Sequence, residues 1–201
     1  MSDDIAVNIG AETPIVIALT TGTSIASGTL DGNIFHFQDV RAASIDYIHL
    51  AIVGNGAVQI IATNITNPDK ARNASITATN VGTPSGVMTI NGINIKGIVT
   101  AEEITIIPGA TAYGNVAWVT ITSIILPSGV SALDTIKIGI SDKIGLPTIL
   151  SAETSIIKKT VNDEDKSSEI AGNVNTIYCT LNCAVISDHS EITVSTKPRT
   201  I

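Results

Sequence analysis

The chain has 201 residues and a formal charge of −7, from 11 basic and 18 acidic side chains, with 44% hydrophobic, 14% charged and 3% aromatic residues. It contains 35 Ile, 15 Val and 25 Thr against 8 Leu. Branching at Cβ costs rotamer freedom in helices and suits pleated sheet, so helical bundles, coiled coils and Leu/Ala-rich α/β barrels are excluded. The acidic balance, with no basic cluster beyond Lys158-Lys159, argues against nucleic acid as a partner.

Residues 1–55 read as an N-terminal β segment or arm. It opens on the acidic Met1-Ser2-Asp3-Asp4, where a secretion signal has a basic region. Synthesis in the cytoplasm without a classical export signal is therefore expected. Its longest apolar stretch, Ile15-Val16-Ile17-Ala18-Leu19, is far below the roughly twenty residues of a membrane span, so no membrane partner is expected. Strands are expected at 13–20, 33–38 and 45–53, the last ended by Gly54-Asn55-Gly56.

Residues 56–150 read as a central antiparallel β-sandwich module. Strands are expected at 57–65, 72–79, 86–90, 93–107, 115–126 and 135–141, separated by Pro, Gly and Asn punctuation. Asn91-Gly92 between two alternating runs predicts a hairpin turn, because a type I′ turn needs positive φ at both central residues. In Ile136-Lys137-Ile138-Gly139-Ile140 the isoleucines fall on one face, the period-2 mark of a half-buried strand. Six such strands with no helical pattern between them place the chain among all-β antiparallel sandwiches of immunoglobulin-like or jelly-roll-like kind.

Residues 151–201 read as a C-terminal β segment or arm, with strands at 176–187 and 191–196 and a solvated polar loop over 162–169. The two ends are free to pair with each other, with the module or with a neighbouring chain, and the sequence does not choose.

The usual chemical signatures are missing: there is no Gly-x-Ser-x-Gly elbow, Walker loop, His-Glu-x-x-His or Cys-x-x-Cys. Cys179 and Cys183, four apart, would lie about 13 Å from one another in a straight strand, beyond disulfide reach. They read as small buried hydrophobes rather than zinc ligands, since His36, His49 and His189 are scattered. Asp163-Glu164-Asp165 lacks the grammar of a calcium loop and reads as a solvated acidic loop. Glu102 and Glu103 point to opposite faces of a strand and read as its exposed start. Trp118 reads as core or interface, and Asn64-Ile65-Thr66 and Asn73-Ala74-Ser75 as chance glycosylation sequons. No catalytic, cofactor-binding or metal-binding residue is assigned, and no enzyme activity or cofactor is expected.

One stretch carries a resemblance. Ala71-Arg72-Asn73-Ala74-Ser75-Ile76-Thr77 opens it, followed by Gly86-Val87-Met88-Thr89-Ile90-Asn91-Gly92 and Thr100-Ala101-Glu102-Glu103-Ile104-Thr105-Ile106. Gly114-Asn115-Val116-Ala117-Trp118-Val119-Thr120-Ile121-Thr122-Ser123-Ile124 and Asp134-Thr135-Ile136-Lys137-Ile138-Gly139-Ile140 come next, and Ser141-Asp142-Lys143-Ile144-Gly145-Leu146-Pro147 closes it. The order resembles a β-rich module in head-associated, decoration-like structural proteins of tailed bacteriophages and related prokaryotic viruses. Trp118 stands where that pattern has Phe, and Ile138 and Ile140 stand where it has smaller residues. The resemblance transfers no functional residue. It implies a virion structural protein in many copies, a homo-oligomer bound to major capsid or other virion proteins. A carbohydrate- or host-surface-binding sandwich and a subunit of an extracellular filament or tail are the alternatives.

Overall fold

A computed structural model describes residues 6–7, 15–16, 33–148, 150, 155–170, 174–183 and 186–197. The chain divides into two units, Met1–Asp31 and Gly32–Ile201. In the first, β1 (Ala6–Val7) and β2 (Ile15–Val16) form an antiparallel pair. The rest of the strand expected at 13–20 lies outside the described residues. The second unit is all-β and antiparallel, consistent with a β-sandwich.

Its main part holds β4 (Ser44–Val53), β5 (Gln59–Ile61), β6 (Arg72–Ala78), β7 (Val87–Asn94), β8 (Val99–Thr105), β9 (Thr111–Tyr113), β10 (Trp118–Leu126) and β11 (Thr135–Gly145). β4, β11, β6 and β9 make one face, and β5, β10, β7 and β8 the other. The faces join where β6 meets β10 at the single pair Arg72–Trp118, so the sheet curls into a half-barrel. Between them lies a core filled by the inward row of each strand: Ile136, Ile138 and Ile140 from β11, Ala74 and Ile76 from β6, Met88 and Ile90 from β7, and Trp118, Ile121 and Ile124 from β10. The alternation anticipated for β11 is the one observed.

The hairpin expected at Asn91-Gly92 is not there. Both residues lie inside β7, and the chain turns instead at residues 95–98. The Asn94 carboxamide accepts from the Lys96 and Ile98 N–H groups, and Gly97 takes φ 72°. Gly92 serves another purpose: a Cβ there would strike the Thr120 carbonyl, because β10 crosses close at an irregular register.

A second core is built from the two ends of this unit. β3 (Ile34–Val40), β12 (Ile156–Val161), β13 (Glu164–Asp165) and β16 (Ser190–Thr196) form a four-stranded sheet in the order β13-β12-β16-β3. β14 (Val174–Asn175) and β15 (Thr180–Asn182) extend the large sheet from the far end of β11. Val40, Ile144, Leu146, Leu181, Ile192 and Val194 are among its buried side chains. The two ends of this unit thus pair with each other, β16 running against β3. The run 162–169, expected as a solvated loop, is exposed over residues 162–165 but holds a tight hairpin there. Asn162 and Asp163 both have positive φ, Val161 pairs with Glu164, and a 3-10 turn follows at Ser167–Glu169. Asn and Asp tolerate that backbone region better than most residues, which makes the two-residue turn possible.

β11 is the element common to both cores. It continues past the expected end at Ser141, bulges between Ile140 and Ile144, and hands its last residues to the second core.

Candidate functional site

Three buried polar clusters punctuate the fold. The first surrounds Arg72, whose side chain is wholly buried at the start of β6. Its Nε donates to the Ser141 carbonyl at 2.7 Å, inside the bulge of β11, and one terminal nitrogen donates to the Arg41 carbonyl at 2.6 Å. Asp69 lies 3.4 Å from the guanidinium and Asp142 3.7 Å. Desolvation lowers the Arg72 pKa while the two carboxylates oppose it, and so basic a group stays charged. Burial raises the Asp142 pKa against donation from the Ile186 N–H and the charge of Arg72. The Asp142 main-chain carbonyl also accepts from the Cys183 N–H. This cluster fastens the sandwich to the second core.

The second cluster centres on Glu102 of β8. Its Oε1 accepts from the Asn115 and Val116 N–H groups, which holds the connection between β9 and β10. Asn73 donates to the Gly114 carbonyl at 2.8 Å, and Lys143 donates to the Asn115 carboxamide oxygen at 3.0 Å. Burial raises the Glu102 pKa. Donation from Asn115 and Val116, the nearby Trp118 indole and the Lys143 charge pull the other way. Glu102 Oε2 and Trp118 Nε1 complete no hydrogen bond among the described residues. Glu102 is therefore not the exposed strand start that was expected. The alternation that points Ile104 and Ile106 inward points Glu102 inward too, and Glu103 faces solvent.

The third cluster is Asp134, buried beside the connection between β6 and β7. Burial pushes its pKa up, but donation from the Gly82 and Val81 N–H groups and the Ser131 and Thr79 hydroxyls outweighs this and holds the carboxyl below its usual range. All three clusters hold backbone segments in place.

The other residues singled out from sequence are dispersed. Trp118 is fully buried in the first core, so it offers no stacking platform for a sugar. Cys179 and Cys183 are buried thiols, as expected of small hydrophobes. They do not share one strand, however: Cys179 ends a turn at φ 52° and β15 covers only the three residues after it. His36 faces Glu191, His49 bonds the Leu50 carbonyl and His189 bonds Asp39. Among the described residues no three His, Cys, Asp or Glu side chains gather as metal ligands would. Asn73 is buried and engaged, whereas Asn64 is exposed at φ 56°. A cavity of about 30 Å³ between Asn94, Lys96, Val116, Ile177 and Tyr178 has room for about one water.

The surface is more informative than the interior. β8 pairs with β7 on one side, and β3 with β16 on one side. Neither has a strand on its other edge among the described residues. Both edges carry apolar side chains in water: Val99 is 80% exposed on β8 and Ile34 63% on β3. Compared with known proteins, the chain matches no family model, no curated protein and no solved structure.

Proposed function

We propose that the chain is a structural subunit of a virion, bound to the capsid surface as a decoration-like protein and working through protein–protein contacts alone. The observation that carries this reading is that β8 and β3 each have an edge with no neighbouring strand among the described residues and apolar side chains beside it. An unpaired edge offers N–H and C=O groups to another chain. The order of motifs from Ala71 to Pro147 supports the same reading through its resemblance to head-associated phage proteins. A rigid scaffold held by buried polar clusters suits a part that bears load and performs no chemistry. The partners are further copies of itself and the major capsid or other virion proteins, with no cofactor and no nucleic acid.

The test is peptide mass spectrometry and cross-linking on purified particles from the source. Peptides of this chain in stoichiometric amount, cross-linked to capsid protein near β8 or β3, are the expected outcome. Particles that lack the chain would sink the proposal.

A further inference from the structure

An amine, a carboxamide and a buried carboxyl meet in the second polar cluster, each from a different part of the fold. Lys143 comes from β11, Asn115 from the connection between β9 and β10, and Glu102 from β8. The Lys143 amine lies 3.0 Å from the Asn115 carboxamide oxygen and 3.5 Å from the Gly114 carbonyl. Both Lys143 and Asn115 are half-buried. Their backbones are held by Asn73 of β6, which accepts from the Lys143 N–H at 3.2 Å and donates to the Gly114 carbonyl at 2.8 Å. One side chain therefore fixes both stretches, and the Gly114 N–H adds a bond to the Ala74 carbonyl on the same strand.

Glu102 is only 8% exposed. Its Oε1 accepts from the Asn115 and Val116 N–H groups, while Oε2 is buried and bonded to nothing among the described residues. A Cβ at position 114 would stand 2.5 Å from that second oxygen. Glycine is what lets the carboxyl rest against the backbone that carries Asn115. Burial raises the Glu102 pKa against donation from Asn115, Val116 and Trp118 and the charge of Lys143, so this carboxyl is suited to holding a proton and returning it. A nucleophile, an acyl carbon and a proton carrier, fixed together away from bulk water, are what an exchange of one amide for another requires.

We propose that Lys143 and Asn115 join in an intramolecular isopeptide bond, made by the chain on itself with Glu102 moving the protons. Glu102 takes a proton from the Lys143 ammonium. The freed lone pair attacks Asn115 Cγ, a C–N bond forms, and the carbonyl electrons move onto Oδ1. As they return, the bond from Cγ to Nδ2 breaks and that nitrogen leaves as ammonia with the proton Glu102 held. The surplus proton on the former amine follows the ammonia to solvent. An ammonium and a carboxamide thus become a secondary amide and an ammonium ion, Glu102 ends as it began, and no oxidant or other reactant is consumed. The closed ring spans residues 115 to 143 and takes in all of β10. It ties β11, the strand common to both cores, to the connection that Glu102 holds, and narrows the unfolded ensemble as a disulfide of that span does. The reaction happens once per chain and acts on no other molecule, so it goes beyond the structural-subunit reading without depending on it.

The test is intact-mass spectrometry of the full chain, purified folded and then denatured, followed by peptide mapping. The expected mass falls short of the sequence by one ammonia, and the map contains a branched peptide joining residues 115 and 143. Lys143→Arg keeps the charge, and Glu102→Gln keeps an acceptor for the Asn115 and Val116 N–H groups. Each should show the full mass and no branched peptide, with its fold checked by circular dichroism. The branched peptide in the parent chain decides the bond itself even where a variant fails to fold. Full mass in the parent after prolonged incubation at neutral pH overturns the inference. So does an ammonia loss without a branched peptide, which marks a succinimide at an asparagine instead. A branched peptide that persists in Glu102→Gln overturns the role given to that carboxyl. None of these results bears on whether the chain is present in purified particles, which decides the virion reading separately.

Discussion

The two cores of the Gly32–Ile201 unit are built by opposite means. The sandwich core draws its buried residues from Ile48 to Ile140, chiefly from strands of seven to eleven residues, although among its strand pairs only β7–β8 joins neighbours in sequence. The second core takes Val40 from one end of the unit, Ile144 to Ile156 from the middle and Ile170 to Val194 from the other, and three of its strands have two or three residues. A long strand fills its inward row with isoleucines and needs little else. A short strand contributes one or two buried side chains, so its place is set by neighbours and polar ties. The sandwich should therefore be the more autonomous of the two, and the second core should lean on it through β11 and Arg72.

The sharpest way to break that contrast is to delete residues 162–201. The truncation removes β13 to β16 and much of the second core but none of the sandwich core. Hydrogen exchange should show continued protection of β6, β7, β10 and β11. Complete loss of protection would mean the sandwich is not autonomous.

Point substitutions sharpen it. Trp118→Ala should cost about 4 kcal/mol and lower the stability of the whole unit, since it empties the centre of the sandwich. Leu181→Ala should cost about 3 kcal/mol, but exchange should accelerate first in β15 and β16 while β7 and β10 stay protected. Identical exchange patterns for the two variants would erase the distinction.

Next comes Arg72→Ala, which leaves Asp69 and Asp142 without their cation. Breaking such a buried set typically costs about 3 kcal/mol or more. Its more specific effect should be uncoupling: a single calorimetric transition splits into two, with the second core melting first. One sharp transition in the variant would assign the coupling elsewhere, along β11 itself.

The smallest expected effect is the pH dependence contributed by Glu102. Burial lifts its folded-state pKa above the ordinary 4.5. The folded state then holds a proton that the unfolded chain releases, so this group's favourable contribution is full below that value. It is lost as the pH rises through the raised pKa, where a buried carboxylate must ionise with one oxygen unbonded. Glu102→Gln keeps an acceptor for Asn115 and Val116 and cannot ionise. Melting curves from acidic to neutral pH should show the variant gaining on the parent as pH rises, and parallel curves would refute the assignment.

Legibility in the sequence follows the same division. The period-2 run Ile136, Ile138, Ile140 reveals both a strand and its inward face, because a half-buried sheet constrains every second residue. Glu102 was equally legible: continuing the inward row of Ile104 and Ile106 back by two reaches it, and only its charge argues otherwise. Asn91-Gly92 misleads because the same dipeptide serves a tight turn or a close crossing of strands, and the choice depends on β10, a remote partner. Strands of two or three residues such as β14 and β15 have no period to detect. Arg72 stood out only as part of a resembling motif. Its burial is settled by Arg41, Asp69, Ser141 and Asp142, and no local spacing connects Arg72 to Arg41, before β4, or to Ser141 and Asp142, on β11.

The pairing of β3 with β16 also sets a timetable. His189 meets Asp39 across 150 residues of sequence, and closing a loop that long costs about 4 kcal/mol in chain entropy. On a ribosome that emits the chain from its N-terminus, the sandwich strands emerge in order and can zip while β3 still waits. Its partner edge, β16, follows only about 150 residues later. Until then Ile34, Phe35 and Phe37 sit on a strand with neither edge filled by β16, the condition in which nascent chains capture one another.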